Sequence, residues 1–246
     1  IKQEAKTNNT ADMYIDGEIV TDEWEDSDTS AAGFRDALKS LGDVKEINLH
    51  INSPGGSVFE GIAIYNMLKQ HKAKVKIYVD ALAASIASVI AMSGDAIFMP
   101  SNSMMMIHNP YTLAVGNANE LRKAADDLDQ ITKASIASYL AKAGDKLDES
   151  TLKDLMDNET WLTAEEAVDY GLADEVLEPN QAVASVNNPF AKKFKHLPEQ
   201  LLKHNSVKQE DEQSSETVKQ LEEIKKRALQ SSSALSIELL NIKENF

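Results

Sequence analysis

Along the first 178 residues, short runs of alternating apolar and polar positions give way repeatedly to helical spacing. MYIDGEIV (13–20), EINLHIN (46–52) and KVKIYVD (74–80) alternate with the period of a strand. AIFMP (96–100), SMMMIH (103–108) and DEVLEP read as further short strands. Between them, TSAAGFRDALKSLG (29–42) predicts a helix stopped by Gly42, and SVFEGIAIYNMLKQH (57–71) one with Val58, Ile62, Tyr65 and Leu68 on one face. AASIASVIAMSG (83–94) predicts a helix of small residues. Helical spacing then persists from Asn117 to Lys142, returns at about 149–157, and resumes at 163–171, where Thr163 and Glu166 form a capping box. Strands alternating with helices favour parallel pairing with helices packed on the sheet. The fold class predicted is α/β.

Beyond Pro179 the pattern fails. All ten glycines lie at or before Gly171, and the residues after Pro179 are polar with no evident strand. The predicted organisation is therefore an N-terminal extension at 1–11, an α/β body at 12–179, and a polar, partly helical tail at 180–246, with one amphipathic helix at 217–229. Such a tail buries too little apolar area to offset its ordering entropy alone, so it is expected not to belong to the α/β body.

Charge narrows the partners. Residues 1–189 carry 15 basic and 31 acidic side chains, a net of −16, whereas 190–246 carry 10 and 9, a net of +1. A body this acidic repels a phosphate backbone, so nucleic acid is not an expected partner. No apolar run approaches the roughly 20 residues of a membrane span. With no cysteine, thiol nucleophiles, disulfides and cysteine-ligated zinc are excluded, and the composition fits a cytoplasmic protein. The opening IKQEAKTNN has no apolar signal segment. No histidine has a partner at zinc-ligand spacing, so no metal is expected.

Three short stretches carry candidate chemistry. In INSPGGS (51–57) a strand ends, and Gly55 and Gly56 allow close backbone approach just before a helix, a setting for amide donors to an oxyanion. An ordinary Pro-Gly turn would read the same way. In ALAASIAS (81–88) Ser85 stands among small residues at a helix start, with the N–H of Ile86 beside it; a tightly packed helix is the competing reading. Ser88 lies a turn deeper and should face packing. In MMMIHNP (104–110) His108 ends an apolar strand that Asn-Pro forces outward, a placement suited to a general base. A core histidine is the alternative. His50 within a strand, His71 among lysines, and His196 and His204 in the tail are weaker candidates.

INSPGG, a helix, AAS, MIHNP and ETWLTAEEAVDYGLAD, in that order, resemble the Clp protease proteolytic subunit family over about residues 12–178. The short front end makes the chain similar to the prophage-encoded, Clp-like head maturation proteases. The resemblance implies stacked ββα turns, a superhelix shared with the crotonases, with 117–142 as the long handle helix. It implies Ser85 as nucleophile, His108 as base, and the N–H groups of Gly56 and Ile86 as oxyanion donors. The family's acid, usually aspartate, falls on Glu159, a departure from the pattern; Asp157 is the fallback. It further implies no cofactor, polypeptide substrates, and a homo-oligomeric ring, heptameric and stacked face to face, enclosing the sites. An AAA+ unfoldase, or a capsid or scaffold protein, would be the partner. Because no GxxxxGK[ST] stretch is present, ATP would be the partner's to use.

Three other readings compete. A crotonase-like acyl-CoA enzyme needs no Ser/His pair, and a Ser-Lys peptidase needs a lysine where this chain has His108. A catalytically degenerate ring subunit or assembly protein is the non-enzymatic alternative, which the glutamate keeps open.

Overall fold

The computed structural model describes residues 2–7, 9–179 and 194–196. All belong to one unit, Ile1–Asn205. The strands are β1 (Lys2–Thr7), β2 (Thr10–Ile19), β3 (Glu46–Gly56), β4 (Lys74–Ala84), β5 (Ala96–Pro100), β6 (Met104–Ile107), β7 (Thr160–Thr163) and β8 (Glu175–Leu177). The α-helices are α1 (Ala31–Ser40), α2 (Val58–Lys69), α3 (Ile86–Ala91), α4 (Ala118–Ala143), α5 (Glu149–Asp157) and α6 (Ala164–Asp169). The main path of the sheet runs β1-β2-β3-β4-β5-β8, parallel except at the β1 edge. This is the α/β class expected, with α4 as the long handle helix.

The alternation in β2, β3 and β4 sends Met13, Ile15, Ile47, Leu49, Ile51, Val75, Ile77 and Val79 into a core where each is at most 2% exposed. Phe34 and Leu38 of α1, and Ile64 and Leu68 of α2, close it from the helical side. The intervening strand residues form the opposite face, where Tyr14, His50, Tyr78 and Phe98 stack in a row across four strands. His50 holds Asp80 at 2.9 Å there, so this histidine serves the sheet face.

One topological feature places the site. The first half of β4 pairs with β5, at Lys76–Tyr78 against Ala96–Phe98. Its last residues pair instead with β6, Leu82–Ala84 against Met104–Met106. The strand thus passes from the main sheet to a second layer, where β7 joins β6 antiparallel with Ile107 opposite Thr160. Parallel strands end together, and an antiparallel neighbour begins where they end. The residues after Ala84, after Ile107 and before Thr160 therefore meet at one edge. They are Ser85, His108 and Glu159.

Some expected boundaries move. Within the stretch 1–11, Lys2–Thr7 forms β1 on the sheet edge; KQEAKT lacks the apolar alternation that would announce a strand. The strand expected at 46–52 runs on through SPGG as β3, because Gly55 and Gly56 still pair with Glu18 and Ile19. The helix expected over 83–94 shortens to Ile86–Ala91, since pairing with β6 holds Leu82–Ala84 extended. TWLT forms β7, a strand too short to see in the pattern. The expected capping box of Thr163 and Glu166 is present at α6. The helix expected at 217–229 and most of the predicted tail lie outside the described residues.

Candidate active site

Only two non-glycine residues among those described have a positive φ, Ser85 at 56° and Glu159 at 49°. A non-glycine residue there costs on the order of 1–3 kcal/mol and persists only where its surroundings over-determine it. At Ser85 those surroundings are explicit. Its N–H donates to the Met106 carbonyl of β6 at 2.9 Å. Its carbonyl accepts from the Ser88 N–H at 3.0 Å and from the Ser88 hydroxyl at 2.5 Å. The same hydroxyl lies 2.7 Å from the phenol of Tyr139 on α4. Burial pushes that phenol's pKa far up, so it remains a protonated hydrogen-bond partner. Ser88 is fully buried, as its place in the helix predicted.

The sharp turn from β4 into α3 leaves the Ser85 hydroxyl facing His108, with Oγ 2.7 Å from Nε2. The imidazole is nine-tenths buried. Desolvation is the leading cause that holds its pKa below the ordinary 6.5; the Glu159 carboxylate pulls it upward and Lys195 adds a smaller downward push. The ring is therefore neutral at neutral pH, the state a base requires. On its far side, Nδ1 is 4.0 Å from Oε2 of Glu159. That is longer than a hydrogen bond but within ion-pair reach. Glu159 is only 7% exposed, at the junction of α5 and β7. Asp157, the fallback acid, instead accepts from the amide of Asn109 at 2.6 Å on the exposed side.

The glycines of INSPGGS sit across a cleft of about 380 Å³ from this row, lined by Gly55, Gly56, Ser85, His108, Tyr111 and Phe194. Gly55 has φ 91°, and a Cβ there would fall 2.7 Å from the Ser85 Cβ and 3.2 Å from the Ile86 nitrogen. At Gly56, a Cβ would be 2.0 Å from the Ile19 carbonyl oxygen. Only glycine lets β3 approach the Ser85 turn at position 55 and β2 at position 56 this closely. The fold brings Ser85, His108 and Glu159 into one row, with Gly56 and Ile86 beside it. Such an arrangement can transfer a proton from a hydroxyl to an imidazole and meet a developing oxyanion with backbone N–H groups. Among the described residues, no cluster of histidine and carboxylate groups could hold a metal ion, and no helix is long and apolar enough to cross a membrane.

Sequence reasoning missed two groups. The Ser88–Tyr139 pair was invisible because the residues are 51 positions apart. Phe194, Lys195 and His196, read as tail, lie against the site: the His196 N–H donates to Glu159 Oε1 at 2.7 Å. The surrounding FAKKFKH has the polar character of a solvated segment, and nothing in its pattern signals this contact.

Comparisons with known proteins point to one family. Residues 3–180 match the family model described as Clp protease. The ATP-dependent Clp protease proteolytic subunit of Ligilactobacillus salivarius (strain UCC118) is 33% identical over 173 residues, covering 70% of this chain and 85% of that protein. The protein of the same name from Porphyromonas gingivalis (strain ATCC BAA-308 / W83) is 34% identical over 149 residues, covering 58% of this chain and 65% of its own length.

Proposed function

Because the chain belongs to the Clp protease family and is a serine peptidase of that kind, we propose that it cleaves polypeptides through an acyl-enzyme formed on Ser85. The observation that carries this is the 2.7 Å contact between Ser85 Oγ and His108 Nε2 at a strained turn. In the first step Oγ attacks the peptide carbonyl carbon while His108 Nε2 takes its proton. The carbonyl oxygen becomes an oxyanion that the N–H groups of Gly56 and Ile86 receive, a contribution of roughly 2.7–4 kcal/mol per donor. The tetrahedral species collapses as the C–N bond breaks, and His108 returns the proton to the leaving amine. Water then attacks the ester with His108 again as base, which frees Ser85. Glu159 keeps the imidazole oriented and supports its transient positive charge.

A fluorophosphonate reacts with a serine activated in this way. Mass spectrometry of the labelled chain is expected to find the adduct on Ser85 alone, and an unlabelled protein would overturn the peptidase reading at this site.

The body at 12–179 acts, in this reading, as a subunit of a homo-oligomeric ring whose chamber encloses the sites, heptameric and stacked face to face. Support comes from α4, whose N-terminal half is poorly covered: Leu121 is 43% exposed, while Ile136 and Tyr139 further along are buried. Relatives named as ATP-dependent support an AAA+ unfoldase as the partner that supplies substrate. The second reading, a capsid or scaffold partner as in head maturation, would engage residues that follow the family match, which ends at 180. Light scattering is expected to return a multiple of the 27.0 kDa chain mass. A monomer mass at micromolar concentration would remove the ring.

A further inference from the structure

Phe194 is 9% exposed and belongs to an apolar cluster set apart from the main core, with Ala81, Leu82, Ala84 and Met106. Met104 and Trp161 pack at its margin. The Phe194 ring meets Trp161 edge-on at 5.4 Å and approaches His108 at 6.3 Å. Among the described residues, the apolar side chains around Phe194 come from β4, β6 and β7, the three strands whose ends carry Ser85, His108 and Glu159. Two residues on, His196 donates its N–H to Glu159 Oε1 at 2.7 Å, and its Nδ1 lies 2.9 Å from the Asn158 carbonyl. A short peptide stretch is thus seated against the catalytic row by one aromatic anchor and by backbone contact.

We propose that this pocket is a substrate subsite for an aromatic side chain of a peptide, and that the chain's own Phe194–His196 fills it in competition with substrate. The inference rests on the serine-peptidase reading of the same site. A core side chain would be expected to lie within the family fold, but Phe194 follows the family match, which ends at residue 180. The cluster also opens beside the nucleophile: Phe194 lines the same cleft as Ser85 and His108. Seating the segment affects chemistry as well as access. One oxygen of Glu159 is engaged by His196 while the other stands 4.0 Å from His108, outside hydrogen-bond range. Lys195, carried into place with it, opposes protonation of the imidazole. Release of the segment would free the subsite and let Glu159 close on Nδ1 in the same movement.

The test uses the full chain. Phe194→Ala is expected to raise kcat/KM for a short peptide bearing an aromatic residue by about tenfold, the factor for an occupant seated about nine-tenths of the time. A synthetic peptide of residues 191–197, AKKFKHL, is expected to inhibit that variant competitively, and its phenylalanine-to-alanine counterpart to inhibit at least about tenfold more weakly. Unchanged or lower kcat/KM with an unchanged thermal midpoint would overturn the proposal, as would equal inhibition by the two peptides. Should Phe194→Ala lower the midpoint, His196→Pro decides. It removes the N–H donor to Glu159 and keeps Phe194, so the segment seats less often and kcat/KM should rise; an unchanged or lower kcat/KM overturns the proposal. Fluorophosphonate labelling separates the two levels. Failure to label Ser85 sinks the peptidase reading, whereas normal labelling with these negative results sinks the subsite alone.

Discussion

Ser85→Ala is expected to abolish peptide hydrolysis and fluorophosphonate labelling while leaving the fold and the oligomer intact. Removing the nucleophile of a triad costs a factor of about 10⁶ in kcat, with a residual rate left to binding and the oxyanion donors. The variant retains its Cβ, so the turn at φ 56° carries the same strain as before. The backbone contacts that hold that turn, to Met106 and Ser88, do not involve the lost hydroxyl. The thermal midpoint should therefore barely move. Ser88 cannot substitute: it is fully buried, and its hydroxyl is engaged by the Ser85 carbonyl and by Tyr139. Peptidase assay, intact mass after labelling and a thermal melt of both proteins check this. A label that persists in the variant, or maps to Ser88, would refute Ser85 as the nucleophile.

The legible part of this site was what short local pattern can encode. Glycines beside a strand end, a serine among alanines and a histidine before Asn-Pro each announce a backbone event, and family resemblance joined the three. Periodicity found the core strands because β2, β3 and β4 are buried on one face and alternate cleanly. It failed where tertiary pairing overrode local preference. The alanines at 83 and 84 suit a helix, but three rungs with β6 keep them extended and put Ser85 at the strand's tip. The strain at Ser85 and Glu159 had no sequence mark, because neither residue type favours a positive φ; only the closed structure holds them there. The contact from His196 to Glu159 spans 37 positions and ends on a backbone N–H, which no choice of side chain can advertise.

Glu159→Gln is expected to lower kcat by about 10²–10⁴, with little change in KM or stability, because a neutral amide no longer supports the imidazolium formed in each step. Gln is nearly isosteric, is no worse suited to φ 49°, and can still accept the His196 N–H through its carbonyl oxygen. The loss is therefore electrostatic in origin, and the pH profile distinguishes it from a packing defect. A general base works when neutral, so kcat/KM is full above the His108 pKa and falls as the pH drops through it. In the unsubstituted protein that acid limb is expected below the ordinary 6.5, since desolvation lowers the pKa more than Glu159 raises it. Removing the carboxylate removes the raising influence, so the limb should move further toward acid even as the plateau falls. A merely structural role for Glu159 would lower the plateau without moving the limb. Asp157→Asn should leave kcat nearly unchanged, because its carboxylate serves the Asn109 amide on the exposed side. If Asp157→Asn proves the more damaging of the two, or if the limb of Glu159→Gln stays in place, the acid is not Glu159.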